Sequence, residues 1–416
     1  MICGSHLSRL TVILMIKIED ARKMILNRVK ALASEKLSVQ DALGRYSAED
    51  VRSPIAIPTV DYSAMDGYAV RRQDVTAPGT RLSVAYDLPA GSWPRGPVGP
   101  NQAVRIMTGA PIPPGANAVV MREQTKEAEK QVIINRIPEK YANIRFAGED
   151  IAPHDMVLTR GTGLGAHGIG VLVSIGRFVI SCHQRPVVAI LGTGDEVVDL
   201  DEALMPGKVF ASNAYTLISL VTACGGIPLY LGVARDTRHA LADKLAGAAR
   251  ADLILTSGGV SKGDYDLVWK VMTAGDNHME FRQVGMQPGR PLAFGEINGT
   301  PAIGLPGNPA ATLISFYQFA RPAILKMMGS ENLLLPSMIA KLKTPLKNKP
   351  DQVRFVRGIL QHQGCELVVS SVGRKGFGMI SAMTAGNCFI VMPEGKTAIA
   401  VDEPVECEIF DMHSFN

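Results

Sequence analysis

Three short apolar runs in this chain end in the same way. Leu253-Ile254-Leu255 breaks into Ser257-Gly258-Gly259, passes Ser261 and Gly263, and finishes at Asp264 and Asp266. VVAILGTGDE, from Val187 to Glu196, is the second run, and AIGLPGNP, from Ala302 to Pro309, is the third. A short apolar run closed by a glycine-rich polar turn predicts a buried parallel strand that delivers a loop to a ligand. Three such ends predict one shared crevice at the carboxyl edge of an open α/β sheet.

The rest of the pattern frames that sheet. Ile18, Ala21, Ile25 and Val29 recur at helical spacing, which predicts an amphipathic helix over 19–30 with Asp20 near its start. Residues 39–51 read as a short helix and then a strand. Asp61 to Arg71 has no clean period; it is either a functional loop or strand entry, or Asp66-Gly67 is simply a turn. Residues 80–145 hold short β segments at 104–107, 118–121 and 132–137, broken by Pro and Gly, and predict a small β-rich domain. Thr108 and Asp150 sit at segment ends there and just beyond. Gly163-x-Gly165-x-x-Gly168 has the spacing of a dinucleotide fingerprint, but Val157-Leu158 before it makes a poor strand. The other reading is a turn leading into a helix over 166–175.

From 186 to 329 strands and helices alternate. Strands are expected at 187–191, 229–231, 253–256 and 302–305, and helices at 213–224, 240–249, 266–273 and 309–327. This predicts an α/β fold with a mainly parallel sheet. Residues 337–416 change to strands at 338–343, 353–360, 366–371, 388–392 and 405–410, a separate C-terminal β-barrel-like domain.

Composition narrows the class. At 416 residues the chain is too long for one core, and 46% hydrophobic with 20% charged residues is ordinary for a globular enzyme. A net charge of +4 does not call for nucleic acid and is compatible with an anionic small ligand. The six cysteines include no CxxC pair, which points to a reducing compartment and away from zinc or iron–sulfur sites. Leu10 to Ile16 is too short to span a bilayer and no later stretch is long enough, so the expected location is the cytoplasm, with no membrane partner. Met15 is a candidate true start.

The strand ends suggest chemistry. Backbone N–H groups and hydroxyls of Ser257, Gly258, Gly259 and Ser261 suit a phosphate, although the GxxxxGK[ST] loop is absent. Gly307-Asn308-Pro309 opens a helix and offers a second anion site. Arg290, in QVGMQPGRP, is a candidate phosphate clamp. Asp195, Glu196, Asp236, Asp264 and Asp266 form an all-oxygen set suited to Mg²⁺ beside phosphate. Any one of these acids also fits as a helix cap or a solvated turn residue.

Taken in order, SAMDGYAVR (63–71), RIMTGA (105–110), GED (148–150), TGDE (193–196), SGGVSKGDYD (257–266), PGRP (288–291) and LPGNP (305–309) resemble the MoeA family. Its members are molybdopterin molybdenumtransferases related to the E domain of gephyrin and its plant counterpart. The resemblance runs from about residue 15 to the end. It implies an elongated homodimer of four-domain subunits: 14–34 with 184–336 as the molybdopterin-binding α/β domain, 35–52 with 146–183 as a linker and dimerisation domain, 53–145 as the small β-rich domain, and 337–416 at the C-terminus. The implied reaction takes adenylylated molybdopterin (molybdopterin-AMP) and molybdate, uses Mg²⁺, releases AMP and places molybdenum on the dithiolene sulfurs. The adenylyltransferase acting one step earlier and the acceptor molybdoenzymes are implied partners. By motif match Asp66, Thr108, Asp150, Glu196, Asp236 and Asp266 would be active-site polar residues, and Pro306 and Pro309 would shape the pterin loop. The first three would enter from a partner subunit.

The chain also departs from that pattern. Arg290 stands where Lys is usual, and Gln287 where many members carry Lys or Arg. Asp351-Gln352 replaces Gly-Arg, and Phe377 replaces a Ser between Gly376 and Gly378; these positions are connected with molybdate. Arg354, Arg374 or Lys375 would have to compensate. Besides the enzyme, two readings remain: a paralogue that carries the pterin nucleotide but inserts metal poorly, and a scaffold.

Overall fold

The computed structural model describes residues 15–260, 270–271, 273, 277–372 and 384–411. The central sheet has the strand order Ile227–Ala234, Val187–Thr193, Leu253–Ser257, Thr300–Leu305, Pro291–Ile297, His278–Gln283. The first four strands are parallel, as expected; Pro291–Ile297 alone runs against them, and His278–Gln283, antiparallel to it, points the same way as the first four. The mainly parallel expectation therefore holds, and the three glycine-rich ends all lie in the block of parallel-paired strands. The reversal comes from Asn298-Gly299, with φ of 52° and 79°, which joins Ile297 directly to Thr300 as a two-residue hairpin.

Strand periodicity sends alternate residues to opposite faces. Val188, Ile190, Leu253, Leu255, Ile303 and Leu305 face one core. It is closed by the helices Ile18–Arg28 and Ser212–Ala223 and by the helical stretch 309–327. Ala189, Leu191, Ile254 and Ala302 face a second core under Leu241 and Leu245 of the helix Arg238–Ala246. Each fully buried Leu or Ile contributes roughly 1.5–3 kcal/mol relative to exposure.

The expected single helix over 309–327 is three pieces: Pro309–Ser315, a π segment Phe316–Ala320, and Arg321–Met327. Pro322 supplies the reason, because it has no N–H for the carbonyl of Gln318 four residues back. Arg22 Nε donates to that carbonyl instead, at 3.3 Å, and its Nη2 donates to Gln318 Oε1 at 2.6 Å.

The β-rich segment forms a six-stranded sheet in the order 118–121, 67–70, 102–106, 80–88, 131–134, 125–128, with a core on each face. Between it and the α/β unit, Ser34–Ser38 pairs with Val179–His183, and Val51–Arg52 with Met156–Leu158. Gly165 precedes the helix Ala166–Ser174, and the strand before it is an antiparallel partner. The glycine run is thus a turn into a helix, and the dinucleotide reading fails for want of a βαβ unit.

At the C-terminal end Val353–Gln363, Glu366–Ser371, Ser337–Leu342, Pro404–Ile409 and Cys388–Met392 close into a barrel, because Arg354–Gly358 also pairs with 388–392. Met286–Gln287, from the α/β unit, adds in parallel to Val353-Arg354. Phe355 and Phe389 of the barrel belong to the α/β core, so one apolar mass holds the two units together. No helix among the described residues is long and apolar enough to cross a membrane.

Candidate active site

The three strand ends meet at one cleft of about 1340 Å³. Thr193, Gly194 and Glu196 line it from the first end, Ser257, Gly258 and Gly259 from the second, and Pro306, Gly307, Asn308 and Pro309 from the third. Gly258 has a φ of +97°, and a Cβ there would lie 2.8 Å from Thr193 Oγ1 and 2.9 Å from its carbonyl. A Cβ on Gly307 would stand 3.6 Å from the Gly258 Cα. The loops approach each other through bare backbone, which leaves room for an anion, although the Gly258 N–H itself is given to the Leu305 carbonyl at 3.0 Å.

Asn213 fastens this floor. Its Nδ2 donates to Ser257 Oγ at 3.0 Å and to the Gly307 carbonyl at 2.8 Å. Sequence reasoning missed it; its one signal is an Asn in the first turn of a helix that follows a glycine-poor loop. Asn308 has a different use from the one expected. Its Oδ1 accepts from Ala310 N at 3.1 Å and Ala311 N at 3.2 Å. With Pro309 lacking an N–H, the donors of the helix start are already spent, so this end is not an open anion site. The side chain that caps the helix still borders the cleft.

The acids divide. Glu196 and Asp236 line the cleft. Gly194, at φ +136°, makes room for Glu196: a Cβ there would meet both carboxylate oxygens at 2.8 Å. Burial, together with the charges of Asp195 and Glu196, pushes the Asp236 carboxyl above its ordinary value. Asp195 is turned to a structural task and does not line the cleft. Its Oδ1 accepts from Asp236 N at 3.0 Å, and Asp236 Oδ2 accepts from Asp195 N at 3.3 Å. Its carbonyl takes Lys208 Nζ at 2.5 Å and Arg235 Nη1 at 3.1 Å. Ser261, Asp264 and Asp266 lie outside the described residues, as do Arg374, Lys375 and Phe377 and most of the helix expected at 266–273. Among the described residues no three His, Cys, Asp or Glu side chains form a metal-holding group. Two carboxylates on one wall still suit an oxygen-preferring cation that completes its shell with phosphate oxygens and water.

A further clamp shapes the wall that carries Glu196. Asp199 accepts from Tyr215 and Tyr230 hydroxyls at 2.7 Å each and from Leu200 N at 2.8 Å. Burial raises the Asp199 carboxyl, but these donors outweigh it and hold it below the usual range. Sequence spacing gave no sign of this cluster.

Arg290 lines the cleft with its guanidinium exposed and without a hydrogen bond or ion pair to any described residue, as a ligand clamp requires. At the barrel end, Gln352 Nε2 donates to Gln287 Oε1, and both side chains line the cleft. Two of the departures noted in the sequence, Gln287 and Gln352, are therefore one contact.

Asp66, Thr108 and Asp150 do not line this cleft. Asp66 Oδ1 accepts from Thr108 N at 2.7 Å and Thr108 Oγ1 at 2.9 Å, and these bonds draw the Asp66 carboxyl below its ordinary value. Gly67 is not an ordinary turn residue: a Cβ there would fall 2.0 Å from the Val120 carbonyl. The pair is exposed on the β-rich unit, and Asp150 is exposed too.

Models of known families match most of the chain: the MoeA N-terminal region (domain I and II) over 16–176, a probable molybdopterin binding domain over 189–326, and the MoeA C-terminal region (domain IV) over 339–410. A molybdopterin molybdenumtransferase of Haemophilus influenzae is 35% identical over 408 residues, covering 95% of this chain and 99% of that protein. One from Nostoc is 34% identical over 402 residues, covering 93% and 92%. The crystal structure of a molybdopterin biosynthesis MoeA protein from Pyrococcus horikoshii OT3 superposes with a TM-score of 0.83 at 27% identity, over 95% of this chain and all of that one. With the cleft, the barrel and the motif order in agreement, the chain belongs to the MoeA family of molybdopterin molybdenumtransferases.

Proposed function

We propose that this protein is a transferase of molybdenum cofactor biosynthesis that acts on adenylylated molybdopterin and molybdate and releases AMP. The observation that carries the reading is the glycine floor, where a Cβ on Gly307 would stand 3.6 Å from the Gly258 Cα, with Glu196 and Asp236 lining the same cleft. A floor of bare backbone accepts phosphate oxygens, and Asn213 keeps its two loops in register. Arg290 supplies a fixed positive charge at the same mouth.

In the hydrolytic step water is consumed, the P–O–P bond breaks, AMP leaves and molybdopterin keeps its own phosphate; in the insertion step the two dithiolene thiols bond to molybdenum while one molybdate oxygen leaves with their protons as water, and molybdenum keeps its oxidation state. Glu196 and Asp236, with Asp266 by motif match, would hold Mg²⁺. Bound there, the ion supplies charge neutralisation on the anhydride oxygens. The protein's own part is orientation: the amide floor fixes the phosphates, and the Asp199 clamp fixes the wall that bears Glu196.

Asp66, Thr108 and Asp150 would act from a second copy of the chain, which makes the working form a homodimer. The family's activity also fits a cytoplasmic enzyme with an adenylyltransferase before it and molybdoenzymes after it. The test is direct. Purified protein with adenylylated molybdopterin, Mg²⁺ and molybdate should release AMP, and Glu196→Ala should abolish the release. Full turnover by that variant would remove the metal assignment, and AMP release that ignores molybdate would favour the carrier reading.

A further inference from the structure

A second, smaller cavity of about 390 Å³ lies on the β-rich unit and shares no lining residue with the cleft. Pro94, Pro97, Pro111 and Pro114 line it together with Trp93 and Asp61. Proline fixes its own φ, so walls that carry four of them need little ordering when a ligand arrives. Hydrogen bonds tie the walls down further. Ile112 N donates to the Asp61 carbonyl at 2.9 Å, Ala147 N to Asp61 Oδ1 at 2.8 Å, and the Tyr86 hydroxyl to the Gly96 carbonyl at 2.7 Å.

Two groups of this cavity are unspent. Trp93 is 73% exposed, and its ring packs face or edge on no other ring among the described residues. Asp61 is the one charged side chain of the lining, is exposed, and has no ion pair with any described residue. The cations nearby in sequence are turned to other partners. Arg95, between two lining residues, stands 6.0 Å over the Tyr86 ring, and Arg145 pairs with Glu149 at 2.9 Å. The negative face of an indole and an unpaired carboxylate both attract positive charge. An anion would be repelled there, and a purely apolar ligand would cover the carboxylate without pairing it. The volume suits one long basic side chain. A small cation inside the cavity would leave most of the Trp93 ring wet, whereas a protein segment that brings the cation also covers the ring.

We propose that this pocket docks an arginine or lysine side chain of a partner protein, held by the Trp93 ring and the Asp61 carboxylate. The site is separate from the cleft and stands whether or not the transferase reading does.

The probe is N-acetyl-arginine methylamide, titrated into the full-length protein at neutral pH and followed by intrinsic fluorescence. Trp93→Ala is the blank that removes the signal of the other tryptophan. A saturable change with a millimolar dissociation constant is expected, as one cation–π contact and one exposed ion pair allow, and added salt should weaken it. N-acetyl-citrulline methylamide has the same shape without the charge and should bind at least about fivefold more weakly. Asp61→Asn keeps an acceptor for Ala147 N and should lower arginine affinity about three- to fivefold, with thermal melting reporting that the variant is folded. An acetylated Gly-Arg-Gly amide should bind at least as well as the arginine probe, because the pocket takes the side chain from an extended segment. Equal binding of arginine and citrulline probes, or arginine affinity that a folded Asp61→Asn leaves unchanged, would overturn the proposal. So would tighter binding of tetramethylammonium than of either arginine probe, which would give the pocket to a small ammonium ligand.

Discussion

Asn213 and Ser257, 44 residues apart, are joined by a 3.0 Å hydrogen bond at the floor of the cleft, and the same amide reaches the Gly307 carbonyl at 2.8 Å. One side chain therefore sets the spacing of two loops that line the cleft. Replacing Asn213 by Ala removes two bonds worth about 1 kcal/mol each. The expected result is a small fall in melting temperature with a larger rise in KM for the adenylylated substrate. Asn213→Asp should be worse than Ala for binding, because it accepts rather than donates and puts a negative charge beside the phosphate site. Steady-state kinetics on the three proteins decides this.

The Asp66–Thr108 pair supports a second prediction. Both side chains are exposed, so Asp66→Asn should change stability by no more than about 0.5 kcal/mol. If the pair serves a neighbouring copy, Asp66→Asn and Glu196→Gln should each be inactive alone. Mixed and allowed to exchange, they should regain about one quarter of wild-type activity, since half the dimers then hold one intact site. A mixture that stays inactive while differently tagged copies co-purify as heterodimers would place both residues in one subunit's chemistry.

Much of this was legible in the chain. Leu253 to Gly259 reads as a strand and its turn because the apolar run is local and glycine ends it. Ile18, Ala21 and Ile25 read as a helix face for the same reason, and all three are buried. What could not be read depends on partners far away in sequence. The Asn308 cap was hidden behind a motif that equally well describes an open helix end. The π segment needed Pro322 and Arg22 together, residues 300 positions apart. The Gln287–Gln352 bridge needed the barrel to dock on the α/β unit. Asn298-Gly299 was a missed local signal: a two-residue turn of this kind forces a hairpin, and it makes one edge of the sheet antiparallel.

The third prediction concerns pH. Asp236 holds its proton more tightly in the folded protein than in the unfolded chain, through burial and the charges of Asp195 and Glu196. Its contribution to stability therefore falls as pH rises from the unfolded value through the raised folded one. A divalent cation competes with that proton. Its affinity should fall as pH drops through the raised Asp236 value, at a higher pH than an ordinary carboxylate would give. Glu196→Gln removes one of the two neighbouring charges and should move that loss to lower pH, while weakening the cation overall. Melting-temperature shifts on adding Mg²⁺, measured across pH, check both directions.

The last prediction separates backbone strain from site geometry. Gly258→Ala places a methyl group 2.8 Å from Thr193 Oγ1 and 2.9 Å from its carbonyl, at a φ of +97°. A rotamer change at Thr193 relieves the Oγ1 contact but not the carbonyl contact, because that carbonyl is backbone of the neighbouring strand end. The floor must open, so substrate affinity should fall at least about tenfold beyond a stability cost of about 1–3 kcal/mol. Gly364 is the control. Its φ is +64° and a Cβ there meets nothing within 4 Å, in the turn between the barrel strands Val353–Gln363 and Glu366–Ser371. Gly364→Ala should cost about 1 kcal/mol and leave substrate binding unchanged. Equal loss of binding in both variants would mean that general destabilisation, rather than the touching loops at Thr193 and Gly258, governs the cleft.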